Sequence, residues 1–449
     1  MSGTQPRRRY AIVGTGARAE MFVRGVTRGH ADAAVLVGLC DRNPLRAEAH
    51  NRWLTAAGQP PVPYYPPAEL SAMLARERVH TLIVTSMDSA HAEHIVTGLT
   101  AGCDVITEKP MTVDADGCRA ILKAERRSGR RVSVAFNYRF NPVHEQVRTL
   151  LADGEIGEIG SVHFEWLLDV RHGADYFRRW HRERAHSGGL LVHKAGHHFD
   201  LVNWWLGARP ADVYAAGRLF FYGDTGARHG YARDYRRAHG STQAADDPFA
   251  LRMTDNDRLT ALYLQAEVAD GYLRDRNVFA PGVTIEDDMA VLVRYDTGAT
   301  MSYHLTAYAP WEGYRLMVNG SRGRLELEVV ESDHVSPDEA GGLKGAAIHG
   351  VTGAAERGWA TLTVRPFWAP PREIPLPEHS RTGHGGADER MLAVLLGAAK
   401  DPMDRSATAY DGAQALLTGL AANRSMDTGA AVHVTDLLDL TEHGDPGTE

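Results

Sequence analysis

Cysteine is scarce in this chain. Cys40, Cys103 and Cys118 are an odd number, and the first two fall in apolar runs typical of buried strands, which does not suit a disulfide framework. Long apolar runs are also missing: no stretch approaches the length of a membrane span, and AIVGTGA near the N-terminus is too short for the core of a signal peptide. We therefore expect a cytoplasmic protein that has no membrane partner.

An excess of basic residues is absent as well, because the formal net charge is -8 at pH 7. This balance does not suit a phosphate backbone, so we expect no nucleic-acid partner. The hydrophobic content of 43% and the charged content of 24% are ordinary for a globular protein. A chain of 449 residues exceeds a single core, which predicts two domains, or two domains plus an insertion.

The first third of the chain alternates short apolar runs with helical patterns. The runs YAIVG, AVLVGLCD, VHTLIVTS, CDVITEKP and RVSVAF are separated by helical patterns at 17–28, 44–56, 90–101 and 114–128. Alternation of this kind predicts a parallel sheet with crossover helices. We predict an α/β domain over residues 1–136.

The pattern changes near NYRFNP. A helical pattern at 142–152 precedes longer alternating strands such as SVHFEWLLDV, MAVLVRY and TMSYHLTAY, which suit a sheet covered on one face, usually antiparallel. We predict a second, α+β domain over 137–449 with an open, largely antiparallel sheet. The irregular, charged stretch from about 222 to 283 is too long for an ordinary connection and is predicted to be an insertion, either a lid or an assembly arm. Helical patterns return at 384–400 and 408–424.

A glycine-rich turn follows the first strand. Gly14, Gly16 and Ala19 form a G-x-G-x-x-A pattern, in which the first glycine permits the tight turn, the second lets a pyrophosphate approach backbone amides, and the alanine packs helix on strand. The second strand ends in Asp41, whose carboxylate can bond both ribose hydroxyls and would repel a 2′-phosphate. We therefore predict NAD as the cofactor, although the adjacent Arg42 could meet a phosphate or stack on the adenine.

Glu108, Lys109 and Pro110 follow a later strand of the same domain. Open α/β sheets bind ligands at the carboxyl ends of their strands, so Lys109 is expected to face the cofactor. Partial burial, or the positive charge of an oxidised nicotinamide ring, would lower the pKa of this lysine and make it a usable proton donor or acceptor. The alternative is a structural salt bridge between Lys109 and Glu108.

GGLLVHKAGHHFD concentrates ionisable residues in one segment. A helix that begins at Gly188 and Gly189 and ends at Gly207 would carry four of its side chains on one face, namely His193, His197, Asp200 and Trp204. Two histidines one turn apart can bind zinc, but no third ligand is evident nearby, so we predict no metal. Hydrogen-bonded structural histidines are a second interpretation. Acid–base chemistry is the one we favour.

Arginines and aromatic residues precede this segment. Guanidinium groups recognise carboxylate, sulfonate or phosphate, and aromatic faces stack on sugar rings, so an anionic sugar is one interpretation. The other is a solvated surface on which Asp169, Asp175 and Glu183 neutralise the arginines. Tyr138 and Arg139 lie where the cleft between domains is expected, unless they merely form a turn closed by Pro142. The arginines and aromatic residues that precede GGLLVHKAGHHFD are Arg171, Tyr176, Arg178, Arg179, Trp180, Arg182 and Arg184.

The motifs together resemble the Gfo/Idh/MocA family of NAD(P)-dependent oxidoreductases. The resemblance covers nearly the whole chain and rests on VGTGARA, CDRNP, VTSMDSAHAEHI, AGCDVITEKPMT, FNYRFNP, GGLLVHKAGHHFDLVNWWLG, EDDMAVLVRYDTGATMSYHLTA and VNGSRGRLELE, in the family's order. It implies a Rossmann domain followed by an α/β domain whose open sheet often serves as an oligomer interface. It also implies a sugar, cyclitol or glycoside as the substrate.

By this resemblance Lys109 corresponds to the catalytic lysine and His197 to the catalytic histidine. The family's usual pattern has an aspartate four residues before that histidine, where this chain has His193. His193 or Lys194 is therefore expected to take over proton transfer or to bind an anionic group of the substrate. Substrate contacts are also predicted at Tyr138, Arg139, Arg178 and Trp180. Predicted cofactor contacts besides those above are Ala17, Arg18, Ser86, His91 and Glu108.

We predict an NAD-dependent oxidoreductase that transfers a hydride between nicotinamide and a hydroxyl carbon of a sugar or glycoside, in a homo-oligomer such as a dimer or tetramer. The first alternative is an NAD-dependent glycosidase that oxidises a ring carbon, eliminates the aglycone, adds water and returns the hydride. A non-enzymatic dinucleotide sensor is a second alternative, and the retention of Lys109 and His197 speaks against it.

Overall fold

The computed structural model describes residues 7–336, 358–376, 386–397 and 399–441. These residues form two sheets. Their strands are β1 (Arg8–Val13), β2 (Ala34–Cys40), β3 (Tyr64–Tyr65), β4 (Thr81–Val84), β5 (Asp104–Thr107), β6 (Val132–Val134), β7 (Ile159–Asp169), β8 (Pro210–Arg218), β9 (Asp288–Tyr295), β10 (Thr300–Ala309), β11 (Glu312–Gly320), β12 (Gly323–Ser332), β13 (Trp359–Pro366), β14 (Arg372–Glu373), β15 (Ala407–Thr408) and β16 (Val432–His433).

The first sheet has the order β15-β6-β5-β4-β1-β2-β3. All its strands are parallel except β15, which pairs antiparallel with β6. Every residue of β4 is buried, as expected for a strand covered by helices on both faces. The predicted Rossmann architecture is confirmed.

Helices connect and cover the strands. Asn43 caps the helix after β2 by accepting a hydrogen bond from the Leu45 N–H, and Asp114 caps the helix after β5 by accepting from the Gly117 N–H, which satisfies amides that have no partner within the helix. The α-helices are Ala19–Arg24, Pro44–Ala56, Leu70–Arg76, His91–Thr100, Ala115–Ser128, Pro142–Ala152, Val170–Arg178, Arg184–Ser187, Leu190–His193, Gly196–Leu206, Asp257–Leu259, Glu267–Asp270, Ala387–Leu395 and Ala409–Thr428, and π-helical turns span Gly25–Gly29 and Thr260–Leu264.

The second sheet has the order β14-β13-β12-β11-β7-β10-β9-β8-β16. Only β7 and β10 pair in parallel among these described strands, and all other neighbours are antiparallel. Along β9, buried residues alternate with exposed or half-buried ones, so one face of the sheet packs on the core. The predicted open, largely antiparallel sheet is confirmed.

The C-terminal part of the chain returns to the first sheet. Strand β15 extends that sheet, and helix Ala387–Leu395 contributes Met391 and Leu392 to a core that it shares with Phe22. The following helix, Ala409–Thr428, packs Gly412 against Val134 of β6. A division at 136/137 stays a prediction, and the two sheets share these C-terminal elements. Positions 384, 385 and 398 of the predicted helix at 384–400 lie outside the described residues.

The single helix predicted from Gly188 to Gly207 is wrong. Leu190–His193 and Gly196–Leu206 are separate helices, because the Ala195 N–H bonds to the Leu190 carbonyl one residue further back than in an α-helix. His193 and His197 therefore belong to different helices and do not form a row on one face. The predicted end is found, with Gly207 in the left-handed conformation.

The predicted insertion joins β8 to β9 and contains short helical turns rather than a domain of its own. Among the described residues, every helix is too short or too polar to cross a membrane. All three cysteines are free and buried, which agrees with the sequence.

Candidate active site

The predicted cofactor residues meet at the carboxyl edge of the first sheet. Gly14 has a φ of +88°, and a Cβ there would lie 2.4 Å from the Ser86 backbone, so only glycine fits. The Asp41 carboxylate accepts hydrogen bonds from the Thr15 N–H at 2.5 Å and from the Thr15 hydroxyl at 3.0 Å. The acid at the end of β2 is thereby fixed beside the glycine turn, and the arrangement fits a dinucleotide.

Arg18 and Glu108 form one ion-pair network. The Arg18 Nε lies 2.5 Å from a Glu108 oxygen, and its Nη1 lies 3.1 Å from Asp388. Glu108 is thus paired with Arg18, whereas Lys109 only donates its backbone N–H to Glu108 at 3.2 Å. The alternative interpretation of the sequence, a salt bridge between the side chains of Lys109 and Glu108, is therefore not found. Asp388 comes from the far end of the chain and was not predicted.

The remaining predicted cofactor residues differ in exposure. His91 is buried, with Nδ1 at 2.8 Å from the Pro110 carbonyl and Nε2 at 3.1 Å from the Ser86 carbonyl, so it ties the ends of β4 and β5 together. Arg42 is exposed and lies 3.6 Å from Asp270 of the insertion. The Ala17 N–H donates to the hydroxyl of Tyr263 at 3.0 Å, and that hydroxyl lies 3.3 Å from the position of a Cβ on Gly16.

Lys109 contacts His193 across the two domains. Its Nζ donates to the His193 carbonyl at 3.0 Å and lies 3.4 Å from Nε2 of the same residue. Burial lowers the pKa of Lys109 to about 8, against the opposing effect of nearby carboxylates. A lysine with this pKa is uncharged in about one-tenth of the molecules at pH 7, far more than an ordinary lysine, and the uncharged form is the one that can accept a proton.

Asp88 holds the other side of the His193 ring. Its Oδ2 lies 2.5 Å from His193 Nδ1, and both residues are buried. Burial raises the pKa of Asp88 well above its usual range, and burial together with the charge of Lys109 lowers the pKa of His193 well below its usual range. Burial thus favours the uncharged form of both groups, and the His193 ring is held between Asp88 and Lys109. A carboxylate from another element thus lies beside His193, which stands where the family's helix pattern has an aspartate.

His181 completes this cluster. Its ring stacks on Trp180 at 3.6 Å between centroids and meets the His193 ring edge-on at 4.2 Å. Sequence reasoning missed His181 and Asp88. Asp88 had a usable signal, since it follows β4 at the same edge as Lys109, but His181 lay unremarked among the arginines.

His197, Lys194 and Tyr138 occupy a neighbouring aromatic layer. The His197 ring stacks on Tyr138 at 4.4 Å between centroids. The Lys194 Nζ donates to the Tyr138 hydroxyl at 3.0 Å and lies 4.8 Å from the centre of the Trp166 ring. All three predicted residues are buried.

Two predicted substrate contacts lie in buried ion pairs instead. Arg139 binds Asp200 through both Nε, at 2.8 Å, and Nη2, at 2.6 Å. Arg178 is 1% exposed and bonds to Asp175 and to the Phe249 carbonyl. Because these guanidinium groups are bound within the chain, the structure argues against substrate contacts at Arg139 and Arg178. Among the predicted substrate contacts, only Trp180 is half-buried rather than buried.

Comparison with protein families identifies both halves of the chain. The model described as the oxidoreductase family's NAD-binding Rossmann fold matches residues 8–136, and that of the family's C-terminal alpha/beta domain matches residues 148–434. YteT of Bacillus subtilis, which carries the name of an oxidoreductase, is 32% identical over 397 residues that span 86% of this chain and 87% of YteT. The inositol 2-dehydrogenase of Rhizobium meliloti is 29% identical over 49% of this chain and 62% of its own length.

Solved structures share the fold at low identity. The WlbA dehydrogenase of Bordetella pertussis, in complex with NADH and UDP-GlcNAcA, has a TM-score of 0.59 and 19% identity over 95% of this chain and 99% of its own. An oxidoreductase of Agrobacterium radiobacter, in complex with NAD+, L-tartaric acid and magnesium, has a TM-score of 0.62 and 15% identity over 96% and 100%. With both family domains matched in order, the chain belongs to the Gfo/Idh/MocA oxidoreductase family and its first domain binds NAD.

Proposed function

We propose that the protein oxidises a hydroxyl carbon of a sugar or glycoside with NAD. The observation that carries this proposal is the contact of Lys109 with the His193–Asp88 pair. It joins a lysine of lowered pKa at the cofactor edge to an oriented, neutral histidine. Similarity to inositol 2-dehydrogenase and to a dehydrogenase that binds a nucleotide sugar supports the substrate class.

The chain's own residues supply the proton path. Uncharged Lys109 accepts the proton of the substrate hydroxyl, and the His193 carbonyl accepts a hydrogen bond from the lysine Nζ at 3.0 Å. Asp88 orients the His193 ring through its contact with Nδ1 at 2.5 Å. His197 stands at the position of the family's catalytic histidine, and we therefore propose it as a second acid–base residue. When bound, NAD accepts the hydride that leaves the same carbon.

Residues at the first sheet's edge are proposed to hold the cofactor. Asp41 binds the ribose hydroxyls, and the turn at Gly14 and Gly16 receives the pyrophosphate. Arg179, whose side chain is 25% exposed beside Asp175, is the candidate for an anionic substrate group. We further propose a homo-oligomer through the second sheet's outer face, where Tyr214 and Leu292 are exposed cross-strand neighbours.

A redox-cycling glycosidase is the second candidate, favoured by where the insertion lies. Asn43, after β2, donates to the Ala266 carbonyl at 2.8 Å, and Arg46 pairs with Asp270 at 2.8 Å. With Tyr263 on the glycine turn, these contacts place the insertion over the cofactor edge of its own chain. An enclosed cofactor is exchanged slowly, which suits an enzyme that returns the hydride within one turnover.

One assay separates the two candidates. The protein is incubated with neutral and acidic chromogenic glycosides at trace and at excess NAD, and reduced nicotinamide and released aglycone are recorded together. A dehydrogenase accumulates reduced cofactor in step with substrate and leaves the aglycone attached. A glycosidase releases aglycone over many turnovers at trace NAD without lasting reduced cofactor. The proposal would be overturned if no glycoside or free sugar gave either reduced nicotinamide or released aglycone.

A further inference from the structure

Asp88, His181 and His193 form a compact group of metal-binding side chains. One potential ligand atom from each lies within 4.8 Å of the other two, and all three residues are buried. The sequence offered only the histidine pair at 193 and 197, without a third ligand. The structure replaces that pair with a different one, because the helix break separates His193 from His197 and tertiary packing brings in Asp88 and His181.

The geometry is close to that of a bound ion. Ligand atoms on one tetrahedral zinc ion stand about 3.3 Å apart, given bonds of roughly 2.0–2.2 Å. The Asp88 Oδ2 and His193 Nδ1 are 2.5 Å apart, so they must separate by less than about 1 Å to admit an ion. The two histidine rings already meet edge to face at 4.2 Å between centroids.

His181 provides an independent indication. Its Nδ1 is buried and has no hydrogen-bond partner among the described residues. A buried polar atom left in this state destabilises the folded chain, and native structures usually give it a partner. The ring cannot turn freely to find one, because Trp180 stacks on its face at 3.6 Å.

We propose that Asp88, His181 and His193 bind one divalent transition-metal ion, with zinc as the best match. Two imidazoles and one carboxylate are the donor set of catalytic zinc sites, and imidazole nitrogen disfavours magnesium and calcium. Three protein ligands leave a position open for an oxygen of water or substrate. The ion would take the His193 Nδ1 that faces Asp88, whereas Lys109 lies 3.4 Å from Nε2, the other nitrogen of the same ring.

The binding claim stands on the three side chains alone, whereas the role beside Lys109 rests on the proposed function. There the ion would act as a Lewis acid on the substrate hydroxyl oxygen. The hydroxyl proton would pass to Lys109 and the hydrogen on the same carbon would leave as hydride to NAD, so that the alcohol becomes a carbonyl and NAD is reduced.

The test measures metal binding without NAD or substrate. The full chain is stripped with a chelator, titrated with Zn²⁺ by calorimetry and with Co²⁺ by visible absorption, and its metal content is measured after gel filtration. We expect one ion per chain and a Co²⁺ spectrum of low coordination number. His181→Asn should weaken Zn²⁺ binding by more than about 100-fold.

The control is His304→Asn. His304 forms a similar imidazole–carboxylate contact with Asp288, at 3.0 Å on the exposed sheet, and its loss should leave Zn²⁺ affinity unchanged. NAD affinity within a few-fold of the parent shows that each variant is folded. Less than one ion per chain, or equal Zn²⁺ affinity in the His181 variant and the parent, would overturn the proposal. Either result leaves the role of Lys109 to be judged separately by turnover.

Discussion

Lys109 and Lys194 both lie next to the short helix Leu190–His193, but their surroundings differ. Lys109 is half-buried at the edge of the parallel sheet, where its Nζ meets His193 and, through it, Asp88. Lys194 follows His193 in sequence but is only 4% exposed, and its Nζ lies against Tyr138 and Trp166 beside the second sheet. His193 and Lys194, which are adjacent in one polar motif, thus contact two different regions, the edge of the first sheet and an aromatic layer beside the second.

This difference predicts that substitution of Lys109 lowers the reaction rate, whereas substitution of Lys194 lowers the stability of the fold. A lysine near a polar cleft contributes to rate through its protonation state. A lysine enclosed by aromatic rings contributes through cation–π contact, a hydrogen bond and filled volume. Variants of the two lysines and of their partner residues test this distinction.

Lys109→Met should have the largest effect. We expect kcat to fall by about 10²–10⁴-fold, the range for loss of a general acid–base group, while NAD affinity changes by no more than a few-fold. Steady-state kinetics and NAD titration by fluorescence measure both. Lys123→Met, at an exposed position of helix Ala115–Ser128, is the matched control. Unchanged turnover in the Lys109 variant would eliminate it as a catalytic residue.

Lys194→Ala should act on stability instead. Removing a buried side chain and its contacts with Tyr138 and Trp166 is expected to lower the free energy of unfolding by about 2–4 kcal/mol. Urea unfolding followed by tryptophan fluorescence measures it, and kcat of the folded fraction should change far less than in Lys109→Met. A large loss of kcat with unaltered stability would move Lys194 into the catalytic group.

Asp88→Asn should have an intermediate effect. Asparagine keeps the shape of the side chain but cannot carry the charge, so it orients the His193 ring less firmly. We expect kcat to fall by about 10–100-fold, as for loss of other groups that orient an active-site histidine, with little change in KM. Asp104→Asn, at the opposite edge of the same sheet, is the control. A change in KM alone would contradict a role through His193.

The sequence predicted which residues lie at the carboxyl edge of the first sheet, because the geometry of that edge follows from local rules. Parallel strands that alternate with helices bring their carboxyl ends together, so the order of strands and helices is enough to place Gly14, Asp41 and Lys109 at one edge. The substrate side was less predictable. A single helix was the simplest interpretation of GGLLVHKAGHHFD, and the break after His193 depends on tertiary packing that periodicity does not record.

Long-range pairing explains the other differences. Asp88 and His193 are 105 residues apart in the chain, and no spacing rule joins them. Arg178, Arg179 and Arg274 converge on Asp175 inside the protein, so arginines that suggested an anion site in the sequence largely satisfy an internal carboxylate. The sequence shows which residue types are present but not which of their partners the chain itself supplies.

A substitution in the insertion is expected to have the smallest effect, and it tests whether the contacts of the insertion hold the cofactor in place. Tyr263→Phe removes the hydroxyl that accepts from the Ala17 N–H, a bond worth about 0.5–1.5 kcal/mol. We therefore expect NAD to dissociate roughly two- to tenfold faster, as measured by stopped-flow fluorescence. Tyr272→Phe is the matched control, since the Tyr272 hydroxyl lies in the same insertion and has no hydrogen-bond partner among the described residues. Equal dissociation rates in both variants would show that this contact does not hold the insertion on the cofactor edge, and the redox-cycling alternative would lose its structural support.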